Sequence, residues 1–291
     1  MWVISFWIIP IIAGCVWTAM LIAMLGRWSA LGHPHIKSMN RDQHIAFISD
    51  VGAFSLKPLF ISMSAVSASM FTSVFVIERW MRHARQLAPN TNRREKIFAC
   101  ISIFFALMGA CGIIFLTIFD TWNHNNVHDS MLVLFIVGYI LSAVFVCLEY
   151  YSLGLNYPEH RILKISFILK AIFIVVEFTL AVAFASESRN GNRDVAGVLE
   201  WTVSFIYGLY IFSYVPDLLP AVRFRKHVPQ GERYKEEMRQ AFAGDTNPNR
   251  SSYASQLPQS RGSDRSQYEM AENRNGQPAS PTYPPEAHAQ V

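Results

Sequence analysis

Two histidines four positions apart, His124 and His128, stand in a short polar stretch flanked by Asp120 and Asp129. On a helix this spacing puts both imidazoles on one face, and nearby carboxylates add the other donor type that zinc accepts. The competing reading is a wet loop: Asn123, Asn125 and Asn126 surround the pair, and no glutamate base stands in H-E-x-x-H order. A polar packing or lipid-headgroup role is preferred to a metal one. A second set, Glu149, Lys170 and Glu177, lies in or beside strongly apolar sequence. An ionised group at the centre of a bilayer costs at least roughly 2.5–3.5 kcal/mol on insertion scales, so each demands a partner. Glu149 and Lys170 are expected to meet as an intramembrane ion pair, while the sequence names no partner for Glu177. A transport path through Lys170 and Glu177 is disfavoured, because four of the apolar runs carry no ionisable residue. The chain has no Gly-rich phosphate loop, G-x-S-x-G elbow or H-E-x-x-H motif. Nothing therefore marks a catalytic residue, a bound metal or a cofactor.

The elements that must position these residues follow from composition. Of 291 residues, 52% are hydrophobic and 16% charged, whereas a soluble domain carries about a quarter charged residues. A helix needs roughly 20 apolar residues to cross some 30 Å of hydrocarbon. Runs 2–26, 58–77, 97–118 and 130–148 contain no charge, and 165–185 contains only Lys170 and Glu177. Run 201–216 is short, but Leu218 and Leu219 extend it past Asp217. Backbone groups in lipid must be satisfied within each segment. The predicted fold is therefore an all-α membrane protein, a six-helix transmembrane bundle over residues 1–220 with a disordered C-terminal tail over 221–291. The tail is rich in Ser, Pro, Asn and Gln and too poor in apolar residues to order itself, apart from a short candidate helix over 232–242. The first run reads as a retained span rather than a signal peptide, since no cation precedes it and its apolar stretch is too long. Cys15, Cys100, Cys111 and Cys147 all fall in apolar runs and read as small buried residues.

Orientation comes from the basic residues. The loop after the second run holds Arg79, Arg82, Arg85, Arg93, Arg94 and Lys96, whereas 119–129 holds no Lys or Arg. Arg223, Arg225 and Lys226 follow the last run. The positive-inside rule puts both termini and these residues in the cytoplasm, against the weaker signal of Arg27 and Lys37. This inner basic face would attract anionic lipids, possible phosphoinositide partners, at about 1 kcal/mol per residue near the surface, and orientation alone explains it equally well. A net charge of +4 that borders apolar runs does not argue for nucleic acid. With this topology Asp50, Lys57, Asp120, His124, His128, Asp129 and Glu200 gather on the outer side as a polar rim. The small residues Ser62, Ser64, Ala65, Ser67, Ala68 and Ser69 read as a helix-packing face.

Several of these residues resemble a known family. His44-Ile45-Ala46-Phe47-Ile48-Ser49-Asp50-Val51-Gly52-Ala53, followed by Lys57-Pro58-Leu59-Phe60, is similar to the first-loop signature of the DRAM superfamily. Phe119-Asp120 with Val127-His128, Gly138-Tyr139, and Glu200-Trp201 leading to Ser213-Tyr214 and Asp217-Leu218 resemble its later motifs. Where the family often has Pro-Tyr, this chain has Ala46 and Phe47, so a Tyr hydroxyl is lost. The superfamily groups the FGF-receptor-activating protein, the damage-regulated autophagy modulators and the yeast suppressor-of-four-kinase protein. The resemblance, closest to the fungal suppressor-of-four-kinase branch, implies a non-catalytic multi-pass protein of the plasma membrane. Such a protein would organise membrane lipids or recruit a phosphoinositide kinase complex, with a cytosolic protein partner bound through its tail. The other branches imply GPI-anchor lipid remodelling, or autophagy control at a lysosomal, vacuolar or Golgi membrane.

Overall fold

The computed structural model describes residues 6–219 except 85, 89, 91 and 157–160, together with residue 239. The expected disordered tail, its short helix, and Arg85, Arg223, Arg225 and Lys226 lie outside the described residues. The helices are α1 (Ile8–Ala30), α2 (Ile48–Val51), α3 (Lys57–His83), α4 (Arg93–Ile118), α5 (Asn125–Asn156), α6 (Arg161–Asn190), α7 (Arg193–Phe212) and α8 (Val215–Leu218). Six of them are long and apolar enough to cross a membrane, and the described residues contain no strand. With 32 residues α5 is about 48 Å long, so its ends must project beyond the hydrocarbon layer.

Each long helix packs on its sequence neighbours, and α7 returns to α1, so the order α1–α3–α4–α5–α6–α7 closes a ring. The connections 31–56, 119–124 and 191–192 therefore share one end of the bundle, called here the long-loop end. Inside the ring the fully buried Phe71 lies 5.3–5.9 Å, ring to ring, from Tyr139, Tyr207, Tyr210 and Tyr214. Outside it, Ile168, Ile172, Val175, Phe178 and Val182 of α6 are exposed, as are Phe104, Leu107 and Val133 on α4 and α5. An apolar exterior around a partly polar interior is the arrangement a lipid solvent favours. Cys15, Cys100 and Cys111 belong to that exterior, so of the four cysteines expected inside only Cys147 is buried.

Glycine sets the closest helix contact. A Cβ on Gly138 would lie 2.6 Å from the Gly109 backbone nitrogen, and one on Gly112 would lie 2.5 Å from that of Phe135. In lipid, where packing rather than water release drives association, such small residues bring α4 and α5 backbone to backbone. Of the small residues expected to pack on α3, Ser64, Ser67 and Ala68 are buried, and the Ser67 hydroxyl donates to the Ala13 carbonyl at 2.9 Å, whereas Ser62 and Ser69 are exposed.

Two sequence features shape the last span. Gly191, at φ 84°, follows α6 in the left-handed conformation that glycine adopts at little cost. The Asn192 N–H bonds back to the Glu187 carbonyl at 3.1 Å, which completes a Schellman turn and sends the chain straight into α7. The sixth span thus begins at Arg193 rather than at Trp201, and Glu200 and Trp201 sit within it instead of at its mouth. At its other end Pro216 lacks an N–H for the Phe212 carbonyl, and α7 stops at Phe212. The short α8 then points Asp217 in a direction a continuous helix would not.

Gly138→Leu is expected to lower thermal stability of the detergent-purified chain. Overpacking of this kind typically costs about 1–3 kcal/mol, whereas leucine at lipid-facing Val133 should leave the melting temperature nearly unchanged.

Candidate functional site: a clamped polar rim and a buried charge network

At the long-loop end, residues 44–48 form a segment whose backbone polar groups are almost all captured. Asp194, in the first turn of α7, accepts from the N–H of His44 at 2.6 Å and of Ile45 at 2.9 Å, and lies 3.1 Å from His44 Nδ1. Asp50 accepts from the Phe47 N–H at 3.0 Å and from Gln43 Nε2 at 3.2 Å. Glu200 accepts from the Ile48 N–H at 2.9 Å, and Trp201 Nε1 donates to the Ala46 carbonyl at the same distance. Gly197 lets this happen, since a Cβ there would lie 3.1 Å from the Ile45 carbonyl oxygen. A loop lying against a helix has no ladder to satisfy its N–H groups, and charge-assisted bonds to carboxylates do so instead. The motif that resembles a family signature is therefore a latch between the first loop and α7. The hydroxyl missing at Phe47 is not needed for it, because the latch bonds involve the Phe47 backbone.

A second fastening joins α3 to the loop after α4. Lys57 Nζ donates to Asp120 Oδ2 at 2.5 Å, and the Asn123 backbone N–H donates to Asp120 Oδ1 at 2.7 Å. Burial alone would raise the Asp120 carboxyl, but the Lys57 and Asn123 hydrogen bonds outweigh it and hold it well below the usual carboxylate range. A depressed folded value means its stabilisation is present above about pH 4 and is lost only on stronger acidification. His128 is buried, with Nδ1 at 3.0 Å from the Leu116 carbonyl and 2.9 Å from that of Phe119. Both partners are acceptors, so Nδ1 carries the proton and ties down the last carbonyls of α4. His124 and Asp129 are exposed. The i, i+4 histidines are thus divided between core and surface, and no group of three His, Cys, Asp or Glu among the described residues could hold a metal ion.

The rim expected from the sequence is therefore three structural devices: Asp50 and Glu200 in the latch, Lys57 with Asp120 in the clip, and His128 as a cap. Asp194 and Gln43 were missed. The available signal was the position of Asp194, an acidic residue at the start of a helix where backbone N–H groups of an incoming loop converge.

At the opposite end the charges are buried, and the expected Glu149–Lys170 pair is replaced. Lys170, completely buried, instead forms an ion pair with Asp217 and donates to Ser166 Oγ at 2.8 Å. Its ammonium also lies 4.1 Å from the Tyr214 ring centre and 5.0 Å from that of Tyr150. Tyr150, not Glu149, reaches Lys170 of α6, and its ring lies between Lys170 and Arg82 of α3, while Glu149 turns to α3 and the segment after it. There Glu149 accepts from Asn90 Nδ2 at 2.8 Å and lies 3.6 Å from Arg82 Nε. Arg82, expected on the inner basic face, is buried: it donates to Glu78 Oε1 at 2.7 Å and to the Ala88 carbonyl at 3.1 Å. The Tyr150 hydroxyl donates to the same Glu78 oxygen at 2.6 Å, linking the two ion pairs. The i, i+4 spacing of Glu78 and Arg82 was the readable signal for that pair. Arg93, Arg94 and Lys96 are exposed around the start of α4, and Arg79 is half-buried. What the network supplies is fixed helix placement.

Comparison with known proteins bears on residues covering all these devices. The family model described as the Frag1/DRAM/Sfk1/Cwh43P N-terminal domain matches residues 5–221. The chain is 32% identical over 224 residues to Protein sfk1 of Schizosaccharomyces pombe, across 76% of this chain and 66% of that protein, just under two thirds of its length. It is 24% identical over 283 residues to Protein SFK1 of Saccharomyces cerevisiae, across 75% of this chain and 79% of that protein. No solved structure matches it.

Removing one member of the deep pair leaves a buried charge unpaired, so Lys170→Met or Asp217→Leu alone is expected to cost about 3–5 kcal/mol. The double variant should recover most of that loss in a thermal-melt cycle; additive losses would show that the two do not act as a pair. Asp194→Ala should raise hydrogen–deuterium exchange at residues 44–48 while leaving exchange in α3 and α4 unchanged.

Proposed function

We propose, from the premise that the chain belongs to the Frag1/DRAM/Sfk1/Cwh43P family, that it is a non-catalytic multi-pass protein of the plasma membrane. It organises membrane lipids or recruits a phosphoinositide kinase complex, with both termini in the cytoplasm. The single observation that carries this reading is the match to Protein sfk1 over 76% of the chain. The geometry supports it, because three of the rim carboxylates are engaged in structural bonds: Asp50 and Glu200 hold backbone N–H groups and Asp120 holds Lys57. The exposed Arg93, Arg94 and Lys96 share one end of the bundle with the start of α4, and Arg223, Arg225 and Lys226 follow the last span in sequence. Together they supply a basic surface suited to anionic lipid headgroups, with the tail presenting segments to a cytosolic protein.

The test is to purify the full chain from its native membranes in mild detergent and identify what accompanies it. A phosphoinositide kinase complex should co-purify, and neutralising Arg93, Arg94, Lys96, Arg223, Arg225 and Lys226 should weaken binding to vesicles containing phosphoinositide. Co-purification with GPI-processing enzymes, together with vesicle binding unaffected by the substitutions, would overturn the reading in favour of lipid-anchor remodelling.

A further inference from the structure

Where α5, α6 and α7 meet, and inward from there to Trp17, Phe60 and Ile113 of α1, α3 and α4, the bundle is not filled. Two cavities, of about 550 and 520 Å³ counting the parts open to the surroundings, share the lining residues Phe135, Ile136, Ala181, Val203 and Ser204. They are therefore sections of one slot. Its near section reaches Ile48 and Glu200 under the first-loop latch, and its far section reaches Glu177 and Tyr210. The cause is in the side chains. Across the slot α5 and α7 approach through large rings, with Tyr139 and Tyr207 at 5.4 Å and Phe135 and Tyr207 at 5.6 Å between centres. Rings of that size hold the two backbones apart. Opposite them α6 offers Ala181, and α5 offers Ala143, neither large enough to close the gap.

The dimensions of the slot match those of the surrounding solvent. Glu200 to Tyr210 is a rise of roughly 15 Å along α7, about half the 30 Å hydrocarbon thickness, or one leaflet. The walls are almost wholly apolar, and α6, which lines both sections, carries Ile172, Val175 and Phe178 exposed on the bundle's exterior. Glu177 stands in the wall of the far section, about one turn of α6 nearer the long-loop end than Phe173, and its Oε1 is buried with no hydrogen-bond partner. An apolar space inside a bundle surrounded by lipid is filled most cheaply by hydrocarbon.

We propose that this slot is a binding site for one acyl chain of a bilayer lipid from the leaflet nearer the long-loop end. The chain lies between α5 and α7 behind α6, its carboxyl-proximal part near Ile48 and Glu200 and its methyl end towards Phe173 and Tyr210. Lipid selection by this protein then has a physical seat inside the bundle, separate from any headgroup contact with exposed basic residues. The proposal rests on the six-span reading alone and does not require kinase recruitment.

Photolabelling tests it. The full chain is reconstituted in vesicles of phosphatidylcholine carrying a diazirine within one acyl chain, irradiated, and digested for peptide mapping. Label is expected at slot positions such as Ile136, Ile140, Val203 and Tyr207, and to be displaced by excess unlabelled phosphatidylcholine. Ala181→Phe, which fills the shared section, should reduce slot label at least fivefold while label on lipid-facing Val175 persists. Ala143→Leu gives a second, smaller filling should the first variant not fold, and Glu177→Leu, which makes the α6 wall wholly apolar, should keep or raise the labelling. Label spread evenly around the exterior with none in the slot, or slot label unchanged by both fillings, would overturn the proposal. Neither result would touch the kinase-recruitment reading, which is decided by co-purification.

Discussion

A bilayer offers no water to a polar group, and this one constraint organises the molecule. Lys170 and Arg82 lie within spans, and each is met by a carboxylate, by a further hydrogen-bond acceptor, and by an aromatic ring. The attraction in such a setting is strong only because the desolvation cost is equally large. The pairs therefore do little for net stability but discriminate sharply between arrangements. A ring with α6 rotated by one residue, or with α7 continuing straight through Pro216, would strand a cation in hydrocarbon.

The same logic explains why the first loop looks like a site and behaves as a fastening. A segment such as 44–47, neither helix nor strand, has N–H groups that must find acceptors, and close to the membrane carboxylates are effective ones. Asp50, Asp194 and Glu200 take that role, and Trp201 donates to the Ala46 carbonyl. Conspicuous polar residues in membrane proteins invite a chemical interpretation, yet here their geometry satisfies backbone. The unfilled space lies among the alanines and aromatic rings, which looked like ordinary packing.

How much of this could be read in the sequence depended on the range of the interaction. Apolar runs of sufficient length located five of the six spans, with ends up to eight residues off, because crossing hydrocarbon is a local requirement while helices run on past it. The sixth started eight residues early, since Arg193 and Asp194 interrupt the apolar pattern yet belong to the helix. The family resemblance rested on the first-loop motif, and the matched domain covers residues 5–221. Partner choice inside the bundle was not legible. Lys170 was assigned to Glu149 by depth alone, and depth cannot tell which side of α5 a residue occupies or that a proline break would swing Asp217 towards α6. His128 was read as surface because its neighbours are asparagines, while its role depends on carbonyls supplied by the end of the preceding helix.

The ring is closed by its two most distant members. Trp17 of α1 donates its indole N–H to the Ser204 carbonyl of α7, across 187 positions of sequence. During ribosomal synthesis α1 enters the bilayer first and remains without that acceptor until nearly the whole domain has been threaded. Assembly is therefore gated by the arrival of the final segment. Until then the unfinished ring of helices has an open seam along α1.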